Sequence, residues 1–284
     1  MLTMATLHRL WKTSAPLTAT GVIMLAALIA SLGAMAVDHT TILGAPRWLK
    51  PLKFAASSAI YAFTLAWILG YLAGRRRLAA AVGWVTSVVL IVEVAGIDLQ
   101  AARGVTSHFN VSTPFDAAVF ASMGLAILTV WGAAIALTVA LFRQRFSDEA
   151  LGWALRLGML LTVVGQATGG LMTSPTQAQL AAARTTHERM TISGAHTVGA
   201  PDGGPGVPIT GWSREHGDLR VPHFVGMHAV QALPALAWLM MPIASMAARR
   251  RAVLAAAAAY TTLFVFLLVQ ALNGHPFIPM MVAR

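Results

Sequence analysis

The sequence contains no cysteine, and this absence removes several classes of site. Without a thiol the chain cannot form a disulfide, a thiolate zinc site, an iron–sulfur cluster or a c-type haem attachment. Any metal ion must therefore be bound by imidazole, carboxylate or backbone oxygen. Lysine is also scarce, because only Lys12, Lys50 and Lys53 are present and none lies in a late apolar stretch. A retinal-type Schiff base in the last helix is excluded.

Charge is scarce as well: charged residues make up 11% of the 284 residues, whereas 57% are hydrophobic. A soluble domain cannot cover its surface with such a composition. Apolar runs of about 20 residues, the length that crosses a bilayer, recur along the whole chain. The sequence therefore predicts an all-α integral membrane protein, with a single helical membrane domain over residues 1–284 and the lipid bilayer as its main partner.

The apolar runs predict about seven transmembrane helices, over residues 15–37, 54–73, 79–102, 117–142, 151–172, 222–246 and 252–272. The formal net charge of +10 does not indicate nucleic-acid binding, because the basic residues form short clusters between apolar runs. These clusters fall on alternate connections. The positive-inside rule then places the N-terminus in the cytoplasm and the C-terminus outside. The first span has a signal-peptide-like end, but its length favours a retained helix over a cleaved one.

The longest polar connection, about residues 173–221, joins the fifth and sixth predicted spans on the outer side. Ser174-Pro-Thr-Gln177 has the pattern that begins a helix, which we expect to reach about Met190. The Gly- and Pro-rich stretch 194–208 cannot continue that helix. The Trp, His, Arg and Asp residues that follow are more concentrated than a plain linker needs. They favour a lid folded over the outer mouth of the protein.

Glu93 is the central feature of the third predicted span. A carboxylate inside the bilayer costs on the order of 3 kcal/mol, so it normally faces a protein interior or wet cavity and has a partner. Gln100 lies on the same helical face, whereas Asp98 points elsewhere. Arg103 lies near that face but about 15 Å farther along the axis, which predicts a position at the rim. We expect His228 or a glutamine as the partner of Glu93.

These residues predict an outward-opening polar site near the outer leaflet. Glu93 is the candidate proton acceptor, His228 the candidate acid/base group, and Arg103 a group that orients an anionic or lipid-like substrate. Further candidates for substrate contact are Gln100, Gln231, Asp98, Lys50, Lys53 and Asn110. Candidate ligands for a zinc or iron ion are His228, His108, His223 and Glu93.

The sequence does not identify a cofactor, and a zinc or iron ion is one of the alternatives. His223 and His228 are five residues apart, so one helix cannot present both side by side. A bis-histidine haem is less favoured, since it needs two imidazoles facing each other and only His228 clearly lies inside a predicted span.

Three functions are compatible with these features. The first is a membrane-embedded enzyme or redox protein acting on a small or lipid-like substrate. The second is a proton-coupled transporter of a small solute, and the third a non-catalytic assembly or sensor protein. A carrier needs a polar path to the inner side. The inner halves of the predicted spans contain almost no polar residues, which favours the enzyme.

Three stretches resemble a set of uncharacterised bacterial polytopic membrane proteins. They are Gln100-Ala-Ala-Arg-Gly-Val-Thr-Ser-His-Phe-Asn-Val-Ser-Thr-Pro-Phe-Asp116, Pro222-His-Phe-Val-Gly-Met-His-Ala-Val-Gln231 and Pro46-Arg-Trp-Leu-Lys-Pro-Leu-Lys-Phe54. The resemblance implies a multi-pass protein of the bacterial inner membrane, but no activity. A weaker analogy connects the chain to seven-span zinc hydrolases. It lacks their His-x-x-x-His in the last helix, and its predicted site faces outward rather than inward.

Overall fold

The computed structural model describes residues 3–242 and 244–279, which form two compact units. The first unit runs from the N-terminal residues to Asn110 and includes Pro114–Gln144. The second consists of Val111–Thr113 and the chain from Arg145 onward. The prediction of a single membrane domain over residues 1–284 stays a prediction.

Five helices and one small sheet make up the first unit. The helices are α1 (Met4–Thr13), α2 (Ala15–Val37), α3 (Leu49–Leu69), α4 (Arg76–Ala102) and α5 (Pro114–Arg143). Strands β1 (Thr41–Ile42) and β2 (Ala45–Pro46) pair antiparallel between α2 and α3. Their two-residue turn has positive φ at Leu43 (50°) and Gly44 (77°), the geometry that suits the twist of a short hairpin.

Small residues bring the helices of the first unit close together. A Cβ added at Gly21 of α2 would lie 2.6 Å from the ring of Phe63 in α3. Met24, Ala59 and Val94 join α2, α3 and α4 in a buried apolar cluster. These contacts fix the second half of α4 relative to the middle of α3.

The second unit contains four helices and a second two-stranded sheet. Its elements are α6 (Glu149–Thr173), α7 (Gln177–Thr186), β3 (Thr197–Val198), β4 (Gly217–Asp218), α8 (Arg220–Leu239) and α9 (Met246–Leu272). Helices α6 and α8 cross at glycines, because a Cβ added at Gly165 would lie 2.5 Å from Gly226. Thr162 bridges the same crossing, donating to the Met227 carbonyl at 3.0 Å and accepting from the Val230 N–H at 3.2 Å.

Within residues 3–242 and 244–279, six helical segments are long and apolar enough to cross a membrane, which agrees with the prediction of an all-α, multi-pass membrane protein. They are Ala15–Val37, Leu49–Leu69, Arg76–Ala102, Pro114–Arg143, Glu149–Thr186 (which includes α6 and α7) and Met246–Leu272. Helix α8, the predicted sixth span, is not among the six. Its two histidines, its glutamine and Pro234 lower its apolar character. The seventh span and the orientation stay predictions.

Several element boundaries differ from those predicted. Helix α3 begins at Leu49 rather than at 54, so Lys50 and Lys53 belong to its first turns. Helix α7 ends at Thr186 instead of about Met190, where His187 adopts the left-handed conformation at φ 55°. Its capping box uses Thr176 and Gln179, two residues later than the predicted start. Helix α8 ends at Leu239, short of the predicted 246.

The two units share an order of elements. In each, a long helix leads through a connection with two short strands to a second helix, and an arginine triplet near the start of the third helix follows. Identical residues recur 170 positions apart, in α3 and in α8 with the residue just before it. The pairs are Leu49 with Leu219, Phe54 with Phe224, Ala59 with Ala229, and Ala62 with Ala232. Duplication of a three-helix segment would produce this order.

Candidate functional site

Glu93 lies on the buried face of α4 and is 3% exposed. Ile97 and Gln100, one and two turns later, are buried on the same face. Counting the helical rise to the end of α4 places Glu93 about 14 Å from that end. The carboxylate is therefore held deep within the first unit rather than at its surface.

His108 contacts Glu93 from the connection that follows α4. Its Nε2 lies 3.4 Å from Oε1 of Glu93. The other ring nitrogen, Nδ1, lies 3.1 Å from Nζ of Lys50 and 3.1 Å from Oγ of Ser107. The ring also packs against Phe54, with a centroid distance of 5.7 Å. Lys50, His108 and Glu93 thus form a chain of contacts from the start of α3 to the interior of α4.

The path of the backbone directs His108 toward α4. Gly104 has φ 75°, a conformation that costs glycine little, and Phe109 has φ 64°, which is uncommon for a bulky residue. Phe109 is buried, and its ring packs edge-on against Phe120 at 5.7 Å. This packing compensates the backbone cost at Phe109 and keeps the neighbouring imidazole in place.

The chemistry of the donors defines the protonation pattern of His108. An ammonium group only donates hydrogen bonds, so Nδ1 of His108 must accept from Lys50. In a neutral imidazole the other nitrogen then carries the hydrogen, and this Nε2–H points at Glu93. Lys50 orients His108, and His108 in turn orients the carboxylate.

The second carboxylate oxygen of Glu93, Oε2, differs from Oε1 in its surroundings. Oε2 of Glu93 is buried and has no hydrogen-bond partner within residues 3–242 and 244–279. A buried acceptor without a partner costs roughly 1–3 kcal/mol, so such groups mark places where something else is expected to bind.

Gln100 and Arg103 belong to a second network, centred on Asp116. Nη1 of Arg103 lies 2.5 Å from Oδ1 of Asp116, and Nε2 of Gln100 donates to the same oxygen at 2.8 Å. Arg103 also donates to Oε1 of Gln100, and its guanidinium lies 4.6 Å from the centroid of Phe115. These interactions occupy Gln100 and Arg103, the predicted substrate-contacting pair, within the protein.

Asp116 was not among the residues predicted for the site. It is 2% exposed and lies in the first turn of α5. An acidic residue directly after a proline-marked helix start is a recognisable sequence signal, because acids are favoured near helix N-termini. Its pairing with Arg103 depends on how the connection between α4 and α5 folds.

A third ion pair, between Arg47 and Asp38, lies beside the end of α4. Arg47 contacts Asp38 at 2.5 Å and donates to the carbonyls of Ala101 and Ala102 at the end of α4. Hydrogen bonds from Arg47, Thr40 and Trp48 hold the pKa of Asp38 below its usual range. The hairpin of β1 and β2 is thereby joined to the end of the helix that carries Glu93.

The other predicted contact residues of the first unit have separate surroundings. Asn110 is buried and donates to the carbonyl of Thr106 at 3.2 Å. Lys53 is half-buried in α3. Asp98 is half-buried in α4, and its Oδ1 has no partner among the residues that the structure describes.

No family model, curated protein or solved structure matches this chain.

His228, His223 and Gln231 lie in α8, in the second unit. The ring of His228 packs against Phe224 at a centroid distance of 4.2 Å, and the side chain of Gln231 hydrogen-bonds to His228. Nδ1 of His223 lies 2.8 Å from the carbonyl of Gly165, so this imidazole takes part in the α6–α8 contact. The pairing of Glu93 with His228 stays a prediction.

The histidines and acids form no metal-binding group in the described part of the chain. Within residues 3–242 and 244–279, no three histidine, aspartate or glutamate side chains are placed to hold a metal ion. Zinc sites use at least three protein ligands. The geometry gives the zinc and iron alternatives no support, and His108, His223, His228 and Glu93 as ligands, like the haem, stay predictions.

The connection between α6 and α8 is folded around two aspartates. Oδ2 of Asp202 lies 2.6 Å from Nδ1 of His196, while its Oδ1 accepts from the backbone N–H of Thr197 at 2.9 Å. Asp218 is buried and binds the Arg220 guanidinium with both oxygens. The concentration of polar residues in this segment reflects this internal structure, which a plain linker would not have.

Proposed function

We propose that this chain is a membrane-embedded enzyme or redox protein of the bacterial inner membrane, in which Glu93 accepts a proton from a small or lipid-like substrate. The chain would cross the membrane seven times, with its N-terminus in the cytoplasm and α8 as the sixth span. The site would open toward the outer leaflet. The observation that carries the proposal is the unpaired Oε2 of buried Glu93, whose Oε1 faces His108.

The roles follow the logic of an oriented general base. Glu93 Oε2 takes the proton from the substrate, since Oε1 is already directed at His108. His108 and Lys50 are positioning residues: Lys50 fixes the imidazole tautomer and His108 fixes the carboxylate. After the reaction the proton leaves Glu93 toward the outer medium, which restores the base.

Transport is the second candidate, and one observation favours it. Oγ of Ser87, nearly two turns from Glu93 toward the start of α4, is buried without a partner among the described residues. Other buried hydroxyls on that side, those of Thr18 and Thr20, donate to carbonyls of their own helix. A hydroxyl that bonds its own backbone does not extend a proton path, so Thr18 and Thr20, unlike Ser87, favour a site open on one side over a transporter.

Infrared spectroscopy on right-side-out proteoliposomes tests the proposal. We expect a protonated-carboxyl band that responds to the external pH, not to the internal pH, and is absent in Glu93→Gln. Asp98→Asn is the matched control, because it removes another carboxyl of α4 and should leave the band. His108→Gln should slow the response at least tenfold, because the carboxylate loses its orienting donor.

The other functions predict different results. A carrier would show a Glu93 band that responds to pH on either side of the membrane. A band that ignores both sides, or the same spectrum in Glu93→Gln as in the unmodified protein, would support an assembly or sensor role and would contradict the proposal.

A further inference from the structure

The connection between α6 and α8 encloses a cavity of about 230 Å³ that is separate from Glu93 and lies within the second unit. Thr197, Ser213, Glu215, His216 and Arg220 are the polar and charged residues that line it. A water molecule occupies roughly 30 Å³ of liquid, so the cavity has the volume of about eight waters. It therefore suits a molecule of only a few heavy atoms.

Arg220 is held rigidly with one edge unused. Its Nε donates to Asp218 at 2.9 Å, and its Nη2 donates to Asp218 and to the carbonyl of Gly211 at 2.6 Å. Nη1 makes no hydrogen bond to any described residue. Since the partner carboxylate is buried and fixed, the guanidinium presents this remaining donor group without loss of side-chain freedom.

Glu215 and His216 are the other unused groups on the wall. The hydrogen bonds at these two positions are made by their backbone N–H groups, which both donate to Oγ of Ser213. Glu215 is exposed and His216 is half-buried, and neither side chain hydrogen-bonds to another residue in the described part of the chain. One wall thus carries an acceptor carboxylate and imidazole, and a fixed guanidinium donor.

Glycines keep the space in front of these three groups open. A Cβ at Gly211 would lie 3.8 Å from Nη1 of Arg220. A Cβ at Gly204 would lie 3.8 Å from Oε2 of Glu215, and one at Gly199 would lie 3.8 Å from Nδ1 of His216. Any larger residue at these positions would fill the space beside a charged or titratable group. Gly204 and Gly211 line the cavity, so their bare backbone leaves room for a ligand beside Glu215 and Arg220.

We infer that this cavity binds a small zwitterion that carries both an amine and a carboxylate, such as a short α-amino acid. The carboxylate would pair with the free edge of Arg220, and the ammonium group with Glu215 and His216. The salt bridge between Asp218 and Arg220 leaves Nη1 of the guanidinium as a donor, and Glu215 supplies an acceptor on the same cavity, so a ligand with both a carboxylate and an ammonium group can bind both. All of these residues lie in the second unit, and the inference does not depend on the proposed role of Glu93.

Isothermal titration calorimetry on the full-length, detergent-purified protein tests this site with L-alanine as the probe. We expect binding at one site per chain. Acetate carries only the carboxylate of the ligand and methylammonium only its ammonium group, so each should bind at least tenfold more weakly than L-alanine. Glu215→Gln should weaken alanine binding at least tenfold by removing the ammonium partner.

Two further variants separate binding from folding. Gly204→Val fills the cavity without changing a polar group and should abolish binding while the thermal unfolding temperature is maintained. Glu188→Gln, which removes an exposed acid of the same connection, should leave binding unchanged. The inference is overturned if alanine does not bind, if Glu215→Gln and Gly204→Val bind it as the unmodified protein does, or if acetate alone binds as tightly.

Discussion

At the scale of single residues, acidic side chains are paired in most places, and Glu93 is distinguished by what it lacks. The aspartates that contact an arginine are Asp38, Asp116, Asp148 and Asp218. Asp202 and Glu93 instead face a histidine, but the backbone N–H groups of His196 and Thr197 also bind Asp202, whereas Oε2 of Glu93 has no partner among the described residues. A carboxylate paired with arginine is held in its charged form, whereas one facing a neutral imidazole keeps the freedom to exchange a proton. This difference separates the candidate base from the structural acids.

Asp202 gives a pH-dependent prediction. Burial raises the pKa of this carboxyl, but the His196 side chain and the backbone N–H groups of His196 and Thr197 outweigh burial and hold the pKa below 3.8. A lowered pKa stabilises the fold above the ordinary pKa, and the stabilisation is lost as pH falls below it. Hydrogen exchange in residues 194–220, corrected for intrinsic rates, should therefore stay constant from pH 6 to about 4 and rise below that.

Asp202→Asn supplies the matching variant. It should destabilise the connection locally by on the order of 2 kcal/mol at pH 6, the usual value of hydrogen bonds to a charged group, and should abolish the acid-dependent rise. Glu188→Gln, in the same connection, is the control and should leave the profile unchanged. A rise in exchange in acid that persists in Asp202→Asn would show that another group is responsible.

At the scale of elements, the crossing of α6 and α8 depends on backbone contact between Gly165 and Gly226. Helices in membranes associate through small residues, because lipid removes the hydrophobic gain that drives packing in water. Tyr260 of α9 joins the same group of helices through a 2.6 Å hydrogen bond to the carbonyl of Val225. The close crossing also positions His223 against Gly165, so it determines which imidazoles of α8 remain available.

Alanine substitution at two glycines of α6 tests this contact. Alanine gains up to about 1 kcal/mol of helix propensity over glycine. At Gly165 the added Cβ would lie 2.5 Å from the backbone of Gly226, so overpacking should outweigh that gain and destabilise the protein by roughly 1–3 kcal/mol. At Gly170 nothing lies within 4 Å of the added Cβ, and stability should be maintained or slightly increased.

Reversible unfolding in mixed micelles of increasing denaturing-detergent fraction would measure both variants. Equal stability of Gly165→Ala and Gly170→Ala would mean that α6 and α8 do not approach each other at this point.

Arg249, in the first turn of α9, is buried although it belongs to a run of arginines. The arginine triplet 249–251 predicts a solvated cytoplasmic flank, but Arg249 is 5% exposed. It donates to the carbonyl of Ala237 near the end of α8, and to Asp148 before α6 at 2.8 Å. Burial raises the pKa of Asp148, but the hydrogen bonds from the backbone N–H of Leu151 and from Arg249 lower it by more. The pKa therefore lies below its usual value. One arginine therefore joins α6, α8 and α9, which composition cannot indicate.

At the scale of the whole molecule, the proposed seven spans place the connections of α5–α6 and α6–α8 on opposite sides of the membrane. The absence of native cysteine allows a direct test, because every introduced thiol is unique. Ser147, Thr185 and Asn273 are exposed and lie in or beside the connections that decide the topology.

We expect a membrane-impermeant maleimide to label Thr185→Cys and Asn273→Cys in intact cells. Ser147→Cys should react only after permeabilisation, since the basic flank places it in the cytoplasm. If α8 does not cross the membrane, α9 is the single span between Thr185 and Asn273. Only one of Thr185→Cys and Asn273→Cys will then react in intact cells. Labelling of Ser147→Cys in intact cells would contradict the proposed orientation.

The sequence by itself determined the class of the protein and the position of its unusual acid. Apolar length and the helical repeat are local properties, so they predict membrane helices and the buried face of α4, and the capping pattern at Ser174 predicts the start of α7 to within two residues. Only the tertiary structure decided the partners. His108 reaches Glu93 because the connection at Gly104 and Phe109 turns back, and Asp116 occupies Gln100 and Arg103 because α5 begins beside them. Such contacts depend on the path of a loop, which the spacing of residues along a helix does not specify.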